Sequence, residues 1–378
     1  MTAESHPDPW QGLFDGRLDV APPLTDEQLA AVPAKRGVFF LAGSGGEAVL
    51  LATAASIRSR LRGRLDEPAE RAGRRADLRA VTRRVYWKLG GGHFETDWRY
   101  LELARRIWPG GYGRMLSWRP AWFVRVDGAA DWPHFHRTRE VCRQAGRVFG
   151  PFPDGRSAER FVGVIADAFD LCRDVRCLRR SPNGAKCSYG QMGRCLSPCD
   201  GSVSMDAYRV AVAEAAEFAA GRRAGRAEEL RRQMRRASAD LQFERAAALK
   251  ARLDRLAELD GRAFQHVAPL EQFAFVLVQP SGSRRRLSTF FVNGGCIAGG
   301  PSLPLPPADG QLRQVLDAAA AHMAGARRNG DEAADRWGIG LVAHYLFAGP
   351  KRRGVVLRWR EGLTAGEVGS AVAEYLAS

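Results

Sequence analysis

Between Lys186 and Asp200 the chain reads Lys-Cys-Ser-Tyr-Gly-Gln-Met-Gly-Arg-Cys-Leu-Ser-Pro-Cys-Asp, and Cys172 and Cys177 lie just upstream, so five of the seven cysteines fall within 28 residues. Thiols this crowded either form a disulfide framework in an oxidising compartment or hold a metal or cluster in a reducing one. The segment Met1 to Asp19 is polar, carries Pro7 and Pro9, and shows neither the basic nor the apolar region of a secretory leader. No run approaches the ~18 uninterrupted apolar residues of a membrane span. A cytoplasmic protein with reduced thiols is therefore expected. Cys187, Cys195 and Cys199 are spaced by eight and four, with Gly190, Gly193 and Pro198 between them to let the chain wrap closely. A fourth thiolate, from Cys172 or Cys177, completes a set suited to zinc or to an iron–sulfur cluster. The spacing is not a pair of CxxC knuckles, which counts against zinc. The competing reading is buried free thiols, and it is the one given to the isolated Cys142 and Cys296.

The elements that must position these residues come in modules. At 378 residues the chain is longer than one hydrophobic core usually serves, so roughly two to four domains are expected. Net charge is +15, with 57 Lys and Arg, 52 of them arginine, against 42 Asp and Glu. A surplus of this size attracts polyanions, nucleic acid above all. A short helix begins near Leu24, capped by Thr25 or Asp26. Arg36 to Leu41 and Ala48 to Ala52, joined by the Gly43 to Gly46 turn, read as a β-hairpin. Ser56 caps a basic helix, Ile57 to Leu65, with Ile57, Leu61 and Leu65 on one face and arginines on the other. A strand at Arg84 to Leu89 precedes a helix from Glu95 to Trp108, ended by Pro109-Gly110-Gly111. Trp87, Trp98, Trp108, Trp118 and Trp122 are read as core rather than as base-stacking platforms. Residues 226–259 contain no Gly or Pro and repeat apolar positions every three or four residues, which marks two amphipathic helices reversing between Ser238 and Phe243. Such a hairpin needs a partner for its apolar face. Beyond Leu259 come strands at Phe273 to Val278 and Arg286 to Val292, an Asn293-Gly294 turn, a strand from Cys296, and helices at Gln311 to Arg328 and Asp331 to Phe347.

These residues resemble a known family. Gly37-Val-Phe39, a hairpin, and Ile57-Arg-Ser-Arg60-Leu resemble the GIY-YIG nuclease domain that opens UvrC, the excision-repair endonuclease subunit. Phe149-Gly-Pro-Phe-Pro153 resembles the UvrC linker, and Cys187 to Asp200 its cysteine stretch. Leu230, Met234, Ser238, Leu241, Phe243-Glu244, Ala246-Ala247 and Leu249 are similar to the UVR motif almost position by position. The resemblance covers about residues 36 to 258, in the family's order.

The resemblance implies an α+β multidomain chain: an N-terminal extension (1–34), a GIY-YIG-like antiparallel sheet with helices (35–120), a Cys-rich helical linker (121–204), the UVR two-helix hairpin (205–262) and a small C-terminal sheet with helices (263–378). It implies metal-dependent phosphodiester hydrolysis on damaged DNA. There an arginine steadies phosphate charge, a helix glutamate holds Mg²⁺ or Mn²⁺, and tyrosines help activate water. Arg60 falls on the arginine position, and Arg58, Arg60 and Arg62 become candidate DNA contacts. Phe39, Leu50 and Ala52 replace the two motif tyrosines and a glycine. Counting from Pro109 puts Tyr100 at the glutamate position, and a two-residue shortening puts Glu102 there, with Glu95 as alternative. Asp97, Tyr86 and Tyr100 are nearby substitutes. A retained fold with lost or altered incision chemistry, a DNA-binding adaptor, is the other expectation. The family's cysteines imply a [4Fe–4S] cluster on Cys172, Cys187, Cys195 and Cys199, with Cys177 as alternative fourth ligand and zinc as alternative cofactor. The UVR positions Leu230, Met234, Leu241, Phe243, Ala247 and Leu249 imply docking to a UvrB-like protein. The RNase H-like nuclease and helix-hairpin-helix clamp of UvrC do not fit the remaining residues, so a truncated relative is expected.

Overall fold

The computed structural model describes residues 8–65, 77–141, 146–283, 285–325 and 332–377. Cys142, positions 326–328 of the first C-terminal helix expected above, and Asp331, where the second was expected to begin, lie outside them.

The first unit holds β1 (Gly16–Asp19), α1 (Asp26–Ala31), β2 (Gly37–Ala42), β3 (Ala48–Ala54), α2 (Ile57–Leu65), α3 (Leu78–Val81), β4 (Arg84–Leu89) and α4 (His93–Ile107). Its antiparallel sheet has the order β1-β4-β2-β3, with Phe39 opposite Ala52 and Trp87. Strand β1 pairs residue by residue with β4, so the sheet reaches into the segment read as an extension. The helix signals worked as local chemistry requires: Thr25 caps α1 in a full capping box with Gln28. Alternation along β2 divides the sheet's faces. Phe39 and Leu41 turn toward α1 and α2, packing with Leu29, Ile57 and Leu61. Val38, Phe40 and Ala42 turn the other way, toward α4.

The middle unit holds β5 (Trp122–Val126), β6 (His136–Thr138), β7 (Arg147–Phe152), α5 (Gly155–Phe169), α6 (Val175–Leu178), α7 (Ser188–Gln191), α8 (Met205–Ala219), α9 (Ala224–Ala239) and α10 (Phe243–Ala257). Its sheet, β6-β5-β7, is extended by β8 (Ala268–Pro269). The third unit holds β9 (Ala274–Pro280), β10 (Arg286–Asn293), β11 (Cys296–Gly299), β12 (Leu303–Pro304), α11 (Asp309–Gly325), α12 (Glu332–Leu346), α13 (Pro350–Arg353), β13 (Val355–Arg358) and α14 (Ala365–Ala377). Its sheet runs β11-β10-β9-β13, all antiparallel, with β12 on β10.

The modular reading understates how the units are joined. Helix α4 buries Phe94, Trp98, Tyr100, Leu101, Leu103, Ala104 and Ile107, which is more than one stripe. A helix apolar on most sides must be covered on most sides. Sheet one covers α4 with Phe40 and Tyr86, and the third unit covers it with Phe290 and Tyr345, so both share one core. Glycines on α12 permit its approach: a Cβ at Gly338 would lie 2.0 Å from the Gly295 carbonyl oxygen, and one at Gly340 2.7 Å from that of Arg119. Of the tryptophans, Trp98 and Trp118 are core residues, while Trp87, Trp108 and Trp122 keep part of their surface.

His266 lies where the middle and third units meet. Arg358 donates to its carbonyl at 2.7 Å, and Phe347 meets its ring edge-on at 5.4 Å. Burial, with Arg358 and Arg353 adding positive charge, pushes the imidazole down to about 4. The unfolded chain, with His near 6.5, therefore binds more protons than the fold between about pH 4 and 6.5. Stability is full above that window and falls as pH drops through it, by about 2 kcal/mol for this group after allowance for its partial exposure. His93, His136, His322 and His344 are also lowered, each by burial first, and act in the same direction. His266→Gln is expected to flatten part of the pH 4–6.5 slope in urea denaturation, and an unchanged slope would refute this assignment.

Candidate functional site

The cysteines gather where α5 ends. Asp170, in the left-handed region at φ 51°, closes that helix and turns the chain into Leu171 and Cys172. The Asp174 side chain caps α6, which carries Cys177. Cys187 stands at the N-terminus of α7, and Gly193 (φ 65°) and Ser197 (φ 56°) bend the chain to bring Cys195 and Cys199 back. Backbone bonds lock the loop: Gly184 N–H donates to the Cys199 carbonyl at 2.7 Å, and Leu196 N–H to that of Asp170 at 2.8 Å. The buried Tyr208 hydroxyl, on α8, accepts from the Cys172 N–H at 3.2 Å.

The five thiols act on one another electrostatically, Cys172 with Cys195, Cys177 with Cys187, and Cys199 with Cys195, Cys187 and Cys177, while the Cys172 thiol donates to the Asp174 carbonyl at 3.3 Å. The Cys172 thiol, the Ser197 N–H and the Arg173 guanidinium together hold Cys195 down to about 6. Sharing with Cys195, and burial, push Cys172 up. Both candidates for the fourth position thus lie within electrostatic reach of the downstream cysteines. The donor set fits a thiolate-ligated group in residue type, and none of the five thiols is tied up in a disulfide. Among the described residues no three His, Cys, Asp or Glu side chains converge on one point as metal ligands.

Beneath the loop lies Asp167, a residue the sequence reading did not single out. Its side chain is 4% exposed and ion-paired with Arg173 and Arg194 from the cysteine loop and with Arg255 from α10, the Arg194 contact at 3.0 Å. Asp170 binds Arg252 of α10 at 2.6 Å, and Arg226 of α9 donates to the Ala168 carbonyl at 2.7 Å. The hairpin is therefore latched to the cysteine loop through the end of α5. The available signal was an aspartate between Ala166 and Ala168 on an otherwise apolar helix face.

The hairpin divides its apolar positions. Leu230 and Leu249 are buried in the middle unit's core with Leu256, and Met234 packs against them. Leu241, Phe243 and Ala247 are exposed, Leu241 at 72% and Phe243 at 65%. The turn is a Schellman type, with Gln242 N–H bonded to the Ala237 carbonyl at 2.8 Å and Leu241 at φ 59°, where glycine is usual.

The nuclease-like residues are placed apart. Arg60 is exposed on α2, which covers the Phe39 face of the first sheet. Glu102 is on α4, against the opposite face, ion-paired with Arg99 at 3.7 Å and raised by burial. Glu95 accepts the Gly91 N–H, and Asp97 accepts the Tyr345 hydroxyl at 2.6 Å. Tyr86 donates to Asp8, and Tyr100 to the Met115 carbonyl. Arg58 donates to the carbonyls of Val32 and Ala30, and Arg62 reaches Asp26 at 3.4 Å, which leaves Arg60 as the one of the three without a side-chain partner among the described residues.

The UvrC/Cho excinuclease middle domain matches residues 121–218, the sheet and cysteine junction, and the UvrB/UvrC motif matches 225–259, the hairpin. UvrABC system protein C of Desulforudis audaxviator is 30% identical over 287 residues, covering 74% of this chain and 45% of that protein. The proteins of the same name from Moorella thermoacetica and Dehalococcoides mccartyi are each 26% identical, covering 78% and 74% of this chain and 48% and 46% of their own lengths. The chain thus spans about half the length of the curated relatives it matches. No solved structure matches. Among the described residues no helix is long and apolar enough to cross a membrane. With the middle domain and the motif in their shared order, and similarity extending over about three quarters of its length, this chain belongs to the UvrC family.

Proposed function

We propose that the chain works in nucleotide excision repair as a UvrC-type adaptor, which binds DNA and docks a UvrB-like protein through the tip of its UVR hairpin. The observation that carries this reading is the contrast between the two ends of the molecule. The hairpin is packed on the middle unit and latched to the cysteine loop through Asp167 and Asp170, with an exposed apolar tip. At the nuclease-like sheet, Arg60 and Glu102 belong to helices on opposite faces, and Phe39 is buried where a phenol would be needed. The second reading is incision by Arg60 with a carboxylate-held Mg²⁺ or Mn²⁺. What favours it is that Arg60 is exposed and has no side-chain partner among the described residues.

The cysteine junction is proposed to hold a [4Fe–4S] cluster on Cys172, Cys187, Cys195 and Cys199. Cys177 is the alternative ligand and zinc the alternative group. Such a group would supply covalent bracing between the loop and α5. The chain's own part is to gather the thiols, with Arg173 offsetting their charge.

One preparation tests both parts. Protein purified without oxygen is assayed for iron, sulfide and visible absorbance, then for Mg²⁺- or Mn²⁺-dependent nicking of damaged duplex with and without a UvrB protein. The adaptor reading expects UvrB-dependent retention on DNA without nicking. Metal-dependent nicking abolished by Arg60→Ala would replace it with the nuclease reading, and protein lacking both iron and zinc would remove the cluster.

A further inference from the structure

A recess of about 550 Å³ opens between α12–α13 and the β5–β7 sheet, with Trp118, Arg119, Trp122, Arg139, Phe347 and Arg352 in its wall. Trp122 is the aromatic here that keeps exposed surface and carries cations on its ring. The Arg139 guanidinium lies 4.3 Å from its centroid and that of Arg137 5.2 Å. The charges around it are not equivalent. Arg137 is neutralised by Glu159 at 3.2 Å, and Arg352 pairs with Asp97 at 3.5 Å. The Asp154 carboxylate, also in the wall, accepts the Ser157 N–H at 2.7 Å as the cap of α5. Arg119 and Arg139 are exposed, and among the described residues neither has a carboxylate within ion-pair distance.

The backbone that carries Arg119 and the guanidinium of Arg139 are held in place. Segment 118–120 is pinned by α12, where the absent side chain of Gly340 admits the Arg119 carbonyl and the Trp118 indole donates to the Trp337 carbonyl at 3.2 Å. Arg139 is held by the Trp122 ring. A guanidinium stacked on an indole keeps its N–H edge free, and that edge matches the oxygens of a phosphodiester. Two uncompensated guanidiniums above an aromatic and apolar floor, on a chain of net charge +15, form the pairing of cationic track and stacking surface that receives unpaired nucleotides.

We propose that this recess binds the backbone of single-stranded DNA, with Arg119 and Arg139 contacting phosphates and Trp122 acting as the positioning residue for Arg139. The inference rests on the reading of the chain as a DNA-binding protein and locates a strand-binding site outside α2.

The test is fluorescence anisotropy of a labelled oligothymidylate with the full chain across a salt series. It compares wild type, Arg119→Ala/Arg139→Ala, Arg139→Lys, and a charge-matched control on the exposed face of α9, Arg231→Ala/Arg232→Ala. Each phosphate contact to a single strand contributes about 0.7 to the slope of log affinity against log salt, so the recess variant should lose about 1.4 of slope and roughly 10- to 30-fold in affinity at 0.1 M salt. Arg139→Lys should keep most of the slope but bind severalfold more weakly, because an ammonium stacks less well on the ring. A recess variant with the wild-type slope, or one losing no more than the control, overturns the site while leaving DNA binding intact. Wild-type protein that fails to bind the strand at any salt overturns the site together with the DNA-binding reading.

Discussion

Asp167→Ala is expected to lower stability by about 3 kcal/mol, because it removes the shared counter-ion of three arginines while leaving their charges in place. The figure lies at the lower end for a broken buried pair, since Arg194 and Arg255 are 44% and 41% exposed and water can recover part of the loss. Arg173 cannot recover in this way: it is 18% exposed, its Nη1 is buried without a hydrogen-bond partner, and its pKa is lowered by burial and by the Arg194 and Arg255 charges. The expected signature is loss of protection in two segments far apart in sequence. Hydrogen exchange should rise together over residues 186–199 and over α10, because Arg194 and Arg255 belong to those segments. Asp167→Asn, which keeps the volume but not the charge, should reproduce most of the effect. A midpoint shift below about 1 kcal/mol in urea, or faster exchange in only one segment, would show that the carboxylate does not join loop and hairpin.

Leu241→Gly should move stability and partner binding in opposite directions. Leucine at φ 59° costs about 1 kcal/mol relative to glycine, so the variant should be more stable by roughly that amount. The same side chain is 72% exposed and contributes almost nothing to the fold. A strained, exposed leucine beside an exposed Phe243 is best explained by a role outside the monomer. If the tip is the anchor for a UvrB-like partner, Leu241→Gly combined with Phe243→Ala should weaken that complex about 100-fold, the scale of a hot-spot pair. Circular dichroism and melting should show an intact hairpin. Leu230→Ala serves as the contrast: that residue is fully buried, so truncation should cost about 2–5 kcal/mol of stability, with weakened binding only as a consequence. Unchanged partner affinity in the tip variant, measured on folded protein, would relocate the docking surface.

Much of the architecture was legible because its signals are local. The Thr25 cap, the Gly43–Gly46 turn, the α2 stripe Ile57–Leu61–Leu65 and the reversal after Ser238 each depend on residues within one or two turns of one another. The UVR pattern and the cysteine stretch were legible for the same reason, and the family matches fall on them. What escaped were properties of surfaces meeting. Periodicity marked α4 as helical but could not say that two sheets would cover it. The hairpin pattern marked Leu230 and Leu249 as apolar alongside Leu241 and Phe243, and only packing separated an inner pair from an outer one.

The candidate site divides along the same line. From the sequence alone come the thiol donors and the cationic surplus, because residue identity fixes which atoms can ligate or attract. The tertiary structure alone decided that the five thiols gather within electrostatic reach of one another, that Arg60 and Glu102 lie across a sheet from each other, and that Asp167 binds the loop to the hairpin. These are relations between segments up to about ninety residues apart, set by which faces bury one another. The burial that fixes them is non-directional and acts on total apolar area, so it leaves no short-range mark in the order of the residues.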